Sequence, residues 1–167
     1  MRRYAMVLLL TMVAGTAQAG VIYTPTTGAG CRDYSKPQFG HWVCAGPGGY
    51  AVGFMDEGNI AGVAIGPGAL APNRLKSVSR FRGAKRVFGE KLEWHVSDGK
   101  VQSAVLRVWK ISEREQDNER ELQQLEVYAV GKGRTCLIAT VDVAQSDANA
   151  RASMHAEQAA RSPCIGP

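Results

Sequence analysis

The tetrapeptide Ser97-Asp98-Gly99-Lys100 separates two apolar runs, Leu92 to Val96 and Val101 to Ile111. Asp-Gly between such runs is a strong hairpin signal, because both residues tolerate the positive φ that a two-residue turn demands. In the second run Val101, Val105, Trp109 and Ile111 alternate with Ala104, Leu106 and Val108. Both faces are apolar, so this strand is expected to be central and covered on both sides. The same grammar recurs along the chain. Tyr50 to Ile65 reads as a hairpin around Asp56-Glu57-Gly58-Asn59, with Tyr50, Val52 and Phe54 on one face. Leu125 to Val130 turns at Gly131-Lys132-Gly133 and returns as Thr135 to Val143. Gly40 to Cys44 is a shorter strand, halted by the Gly46-Pro47-Gly48-Gly49 turn.

The C-terminal segment changes period. Ala148, Ala152, Ala156 and Ala159 recur every three or four residues, a narrow stripe that lets a helix lie close on a sheet. Ser146 is the expected N-cap and Pro163 the stop. The fold class is therefore α+β: an antiparallel, hairpin-built sheet with one C-terminal covering helix. Other stretches read as connections. Gly20 to Gly30 is expected to be a loose arm, Gly66 to Pro72 a loop, and Arg74 to Lys91 a mixed stretch before the central hairpin. Ser112 to Glu121 has seven charges and no apolar residue, and reads as a solvated loop.

The N-terminus sets the compartment. Arg2 and Arg3 precede the apolar run Met6 to Val13, and the tract ends in Ala17-Gln18-Ala19. That is the layout of a secretory signal peptide with a small-x-small cleavage site. Residues 1–19 are expected to be removed and residues 20–167 to form one domain, with no membrane span left after cleavage. The expected location is the periplasm or the exterior. Cleavage leaves 18 basic residues against 15 acidic, a net charge of +3. So small a charge gives little reason to expect nucleic acid as a partner.

All four cysteines, Cys31, Cys44, Cys136 and Cys164, lie beyond the leader. In an oxidising compartment an even number implies disulfides, and four cysteines allow three pairings. Cys31–Cys44 with Cys136–Cys164 is the expected one, because each pair brackets a compact local unit. A metal reading would recruit His41 to Cys31 and Cys44, but the spacing matches no close Cys-x-x-Cys knuckle. No metal or cofactor is expected.

No catalytic motif stands out. Gly46-x-Gly48-x-x-Ala51 fits a dinucleotide fingerprint in letters only, since a strand rather than a helix should follow it. Gly131-Lys132-Gly133-Arg134-Thr135 lacks the spacing of a phosphate loop. Ser97, His95 and Asp98 crowd one hairpin tip and cannot form a triad there; His41 and His155 suggest no partner. Arg74 to Gly89 contains six basic residues and no acidic one. Within it Arg80, Arg82, Lys85 and Arg86 are the candidate anion-binding set, interleaved with Phe81 and Phe88; the plainer reading is a solvated strand edge. Trp42, Trp94 and Trp109 fit core packing better than a glycan-binding groove.

Several short motifs follow one another along the chain. They are Phe88-Gly89, Leu92-Glu93-Trp94, Asp98-Gly99-Lys100, a Val/Ala/Leu strand ending at Trp109, Thr135-Cys136, Val141-Asp142, Asp147-Ala148-Asn149-Ala150-Arg151 and Cys164. In these the chain resembles small secreted alphaproteobacterial proteins of unknown function, over most of its length after the leader. The resemblance implies a compartment and no catalytic activity, and Cys31 and Cys44 have no counterpart in it. The expected function is a non-catalytic protein that binds an anionic envelope polymer or another protein. The alternatives are an envelope hydrolase with a dispersed site and a lysozyme-inhibitor-like protein. Lysozymes are mostly basic, and the positive charge of this chain argues against the last.

Overall fold

The computed structural model describes residues 19–68, 71–112, 120–131 and 133–165. Among these residues nine strands and one α-helix run in the order β1 (Ala19–Pro25), β2 (Cys31–Asp33), β3 (Gly40–Ala45), β4 (Tyr50–Asp56), β5 (Ile60–Pro67), β6 (Lys76–Ser97), β7 (Lys100–Ile111), β8 (Glu121–Ala129), β9 (Cys136–Asp142) and α1 (Ala148–Glu157). Every strand pairing is antiparallel, and β2 to β9 neighbour one another in sequence order. This is the expected α+β fold with one C-terminal helix.

The long strand β6 organises the molecule. Its first half pairs with β5, from Lys76↔Ile65 to Arg82↔Ile60. Its second half pairs with β7 on one side and β1 on the other. Gly83 faces Lys110, yet Phe88 faces Val108 and Leu92 faces Leu106, so β6 carries extra residues at two places. Such bulges bend a strand and increase its twist. They turn β6 from one half-sheet, β2–β5, into the other, β1 with β7–β9.

Two cores follow. Between the half-sheets, Val52, Phe54, Val63 and Ile65 meet Trp94, Leu106, Val108 and Tyr128. On the far side of the second half-sheet, Leu125, Val127, Ile138 and Val141 pack against Ala148, Ala152, Ala156 and Ala159. Strand β7 serves both: Ala104, Leu106 and Val108 enter the first core and Val105 the second, as the two apolar faces of that run require. The helix is also held by polar bonds. Ser103 Oγ donates to the Ala156 carbonyl at 2.8 Å, and the Arg134 guanidinium donates to Ala159 and Ala160 carbonyls.

The hairpin tip adopts the expected geometry, with φ of +51° at Asp98 and +70° at Gly99. The glycine-rich turn before β4 has a packing cause as well. A Cβ on Gly46 would lie 2.6 Å from the Trp94 ring, which is wholly buried. Only glycine lets the turn close over that indole.

Both disulfides form as expected, Cys31–Cys44 and Cys136–Cys164. Cys31 and Cys44 are direct register partners across β2 and β3. With all four thiols bonded, the cysteines are not available as metal ligands.

Four local expectations are corrected. The supposed arm contains β1, because Val21-Ile22-Tyr23-Thr24 is a β-branched and aromatic run that pairs with β6. The mixed stretch Arg74 to Lys91 mostly belongs to β6, whose bulges break the alternation that marks a strand. Residues Gly66 and Pro67 extend β5 rather than opening the loop. The N-cap is Asp147, not Ser146, and no side chain caps the helix. Of the expected solvated loop, residues 113–119 lie outside the described residues; Ser112 N–H donates to the Arg120 carbonyl at 2.9 Å, and Glu121 already belongs to β8.

Candidate functional site

The helix covers β7, β8 and β9 but stops short of β1 and the second half of β6. The step between helix and uncovered strands forms a trough. It consists of two cavities of about 410 and 470 Å³ that share Val21 and Ser153. Its floor comes from β6 and β7, one wall from β1 and the other from α1.

Strand alternation decides which side chains reach the trough. On β6 these are Lys91, Glu93 and His95; on β7, Val105 and Arg107; on β1, Val21 and Tyr23. The helix adds Asn149, Ala152 and Ser153. Three of these polar groups form a chain. His95 Nε2 lies 2.7 Å from Glu93 Oε1, and the Tyr23 hydroxyl donates to Glu93 Oε2 at 3.0 Å. The hydrogen bond from His95 holds the Glu93 carboxyl below the usual carboxylate range; partial burial opposes this, and the Tyr23 bond and the His95 charge add to it. The same bond and the Glu93 charge raise the Tyr23 phenol. Glu93 is thus engaged on both oxygens, while Lys91 and Arg107 line the same cavity. Arg107 makes a long bond to Gln123 Oε1 at 3.4 Å.

The candidate anion-binding set is divided by the bend in β6. Arg80 and Arg82 stand on the first half-sheet, paired with Gly62 and Ile60. Lys85 and Arg86 lie in the bulge. Arg82 and Lys85 line a separate cavity of about 310 Å³ that also contains Asp56 and Asn59. Arg86 lies 4.6 Å from the centroid of the Trp109 ring and pairs with Glu90 at 3.3 Å. Trp109 and Arg107 share a face of β7, so Arg86 borders the trough side of the molecule; Arg82 shares its cavity with Ile111, at the end of the same strand. The sequence run singled out these four because they are close along the chain. Lys91 and Arg107 were missed because one lies just past the run and the other on the next strand.

The tryptophans sit in packing roles. Trp94 is fully buried and donates to Thr24 Oγ1 at 2.8 Å; Trp42 stacks on Phe54 and donates to the Thr26 carbonyl at 2.6 Å. No group of three or more His, Cys, Asp or Glu side chains able to hold a metal occurs among the described residues.

A second polar cluster is sealed inside the first core. Glu126 is completely buried and accepts hydrogen bonds from Ser79 Oγ at 3.0 Å, from the Lys110 ammonium and from the Tyr128 hydroxyl. Lys110 Nζ also lies 4.6 Å from the Phe81 ring centroid. Burial first, then the Glu126 charge and hydrogen bond, push the Tyr128 phenol well above its ordinary value. Every buried polar side-chain atom among the described residues has a partner, so this cluster has no group left over for a ligand.

Comparison of the chain with protein-family models, with curated proteins and with solved structures finds no match. The two disulfides indicate an oxidising compartment outside the cytoplasm. No helix among the described residues is long and apolar enough to cross a membrane.

Proposed function

We propose that this chain is a non-catalytic, exported binding protein that holds an anionic component of the cell envelope in the trough between β1 and α1. One observation carries the reading. Lys91 and Arg107 line a cavity whose acidic residue, Glu93, is already engaged by His95 and Tyr23. The cavity therefore offers two cations, the Asn149 amide and the Ser153 hydroxyl to an acidic or sugar-like group. Arg86 extends the positive band along the same face.

A hydrolase draws support from the Glu93–His95 pair and from Ser153, which lines both cavities. A serine nucleophile needs its base within hydrogen-bond reach. No hydrogen bond joins Ser153 to His95 among the described residues, and binding is the better reading.

The test is retention of the exported protein on immobilised lipopolysaccharide and on heparin at low and high salt. Lys91→Gln with Arg107→Gln should weaken binding about 2- to 30-fold, at roughly 0.2–1 kcal/mol for each exposed ion pair. Raised salt should weaken the parent more than the variant. A second variant carries Gln at Arg80, Arg82, Lys85 and Arg86. If that variant loses retention while the trough variant does not, the anion site is the β6 bend and the trough reading fails. Export itself is tested by N-terminal sequencing of the protein outside the cytoplasm, which should begin at Gly20; an intact Met1 would contradict it.

A further inference from the structure

Exposed strand edges invite pairing with other chains, and proteins normally blunt them. Two edges here are blunted. Strand β2 is three residues long and carries Arg32 and Asp33. Strand β9 is capped by the C-terminal tail, where Ile165 N–H donates to the Leu137 carbonyl at 2.8 Å and the Cys136–Cys164 bond anchors the segment.

The edge at β1 is not blunted in these ways. It spans seven residues, AGVIYTP, none with a charged side chain; cleavage before Gly20 would leave an α-ammonium at the start of the strand. Val21, Ile22 and Tyr23 are 47, 42 and 59% exposed, three of the six exposed large hydrophobics among the described residues. Its backbone is also poised. Thr26 N–H donates to the Glu90 carbonyl, and the register continues through Thr24↔Leu92 and Ile22↔Trp94. In an antiparallel ladder, alternate residues bond toward opposite sides. The even-numbered residues of β1 therefore bond to β6, and Val21 and Tyr23 direct N–H and C=O outward.

We propose that this edge pairs with the same edge of a second copy, antiparallel, about a two-fold axis through Ile22. Val21 then exchanges two backbone hydrogen bonds with Tyr23 of the partner subunit, and Tyr23 does the same with Val21 of the partner subunit. Ile22 meets Ile22 of the partner subunit at a non-hydrogen-bonded position, where side chains approach most closely. The absence of charged side chains argues for a second copy: identical strands meet with favourable aromatic–β-branched pairs, and the register about Ile22 sets the Gly20 ammonium opposite Thr24 of the partner subunit, not opposite its like. Pro25 lacks an N–H and bounds the pairing at its end. With the β9 edge capped and β2 short, the assembly closes as a dimer instead of growing into a fibre. Opposed residues of paired strands share a face, so both troughs open to the same side of one continuous sheet. The pairing residues lie beyond the proposed cleavage point, and the dimer does not depend on the trough binding anything.

The experiment is sedimentation of the exported protein over a wide concentration range, with a charge exchange at the axis. The parent should rise from the mass of one chain toward that of two. Ile22→Lys alone and Ile22→Glu alone should each stay monomeric, since each places like charges opposite one another, and an equimolar mixture should regain the dimer. A parent that stays monomeric to millimolar concentration overturns the proposal. So does a dimer that persists in both single variants, or a mixture that stays monomeric although both components are folded by circular dichroism. Should either variant fail to fold, Val21→Pro removes only an outward N–H and should abolish the dimer while leaving the β1–β6 ladder; a dimer unaffected by it overturns the proposal equally.

Discussion

Replacing Glu126 by alanine should cost about 3–5 kcal/mol of folding stability, the usual penalty for removing one partner of a buried ion pair. The carboxylate is wholly buried and takes three side-chain hydrogen bonds, from Ser79, Lys110 and Tyr128. Its loss leaves the Lys110 ammonium without a counter-charge and the Ser79 and Tyr128 hydroxyls without their acceptor. Lys110 is 18% exposed at its side chain, so its head can move toward solvent and relieve part of the cost. Glu126→Gln keeps an acceptor oxygen and should cost less. A triple variant, Glu126→Leu with Lys110→Met and Tyr128→Phe, removes the acceptor and two of its three donors, leaving only the Ser79 hydroxyl. It should recover most of the loss, because well-packed apolar groups often replace a buried ion pair without penalty. Urea unfolding of the three variants measures this. A Glu126→Ala cost below about 1 kcal/mol, or a triple variant worse than the single, would show that the buried ion pair does not contribute to stability in this way.

That cluster shows where the sequence was opaque. Glu126 stands between Leu125 and Val127 in a strand, and the alternation reads it as an outward, solvated residue. What makes it an inward one is the second half-sheet: Leu125 and Val127 face the helix, and the opposite face is covered too. The partners lie on β6 and β7, with no spacing rule to link them. The hairpins, by contrast, were legible because turn chemistry is local. Asp98-Gly99 and the Gly131-Lys132-Gly133 stretch mark their positions whatever surrounds them. The alanine stripe was legible because its period matches a helix. Strand β1 was hidden by the Thr, Gly and Pro residues that follow it, and by the fact that it pairs with a strand about 70 residues away, Ile22 with Trp94. The trough was hidden for the same reason. Its lining comes from β1, β6, β7 and α1, and no window of sequence contains more than a part of it.

Removing the Cys136–Cys164 bond, with alanine at both positions, should cost about 2–5 kcal/mol, and removing Cys31–Cys44 somewhat less. The bonds close loops with sequence separations of 28 and 13 residues. The chain-entropy relation gives roughly 3.6 and 3 kcal/mol for loops of these sizes. The difference should be smaller than those figures suggest, because loss of the Cys136–Cys164 bond also frees its tail in the folded state, which offsets part of the entropy gained by the unfolded chain. Cys31–Cys44 joins strands that are already paired in register, so their backbone ladder survives its loss. Cys136–Cys164 anchors a tail that has one backbone hydrogen bond to β9, from Ile165 to Leu137. The helix has its own ties, the alanine stripe in the second core and the Ser103 and Arg134 bonds to its C-terminal carbonyls. The expected consequence is therefore a freed tail and an uncovered β9 edge beneath a helix that stays docked. Urea unfolding gives the stability change. Amide exchange separates the parts: the Ile165 amide should lose protection while the amides of α1 keep theirs. The bare edge should also raise the tendency to associate, seen as species larger than a dimer in sedimentation. Simultaneous loss of protection through α1 would mean that the disulfide, and not the alanine stripe, holds the helix on the sheet.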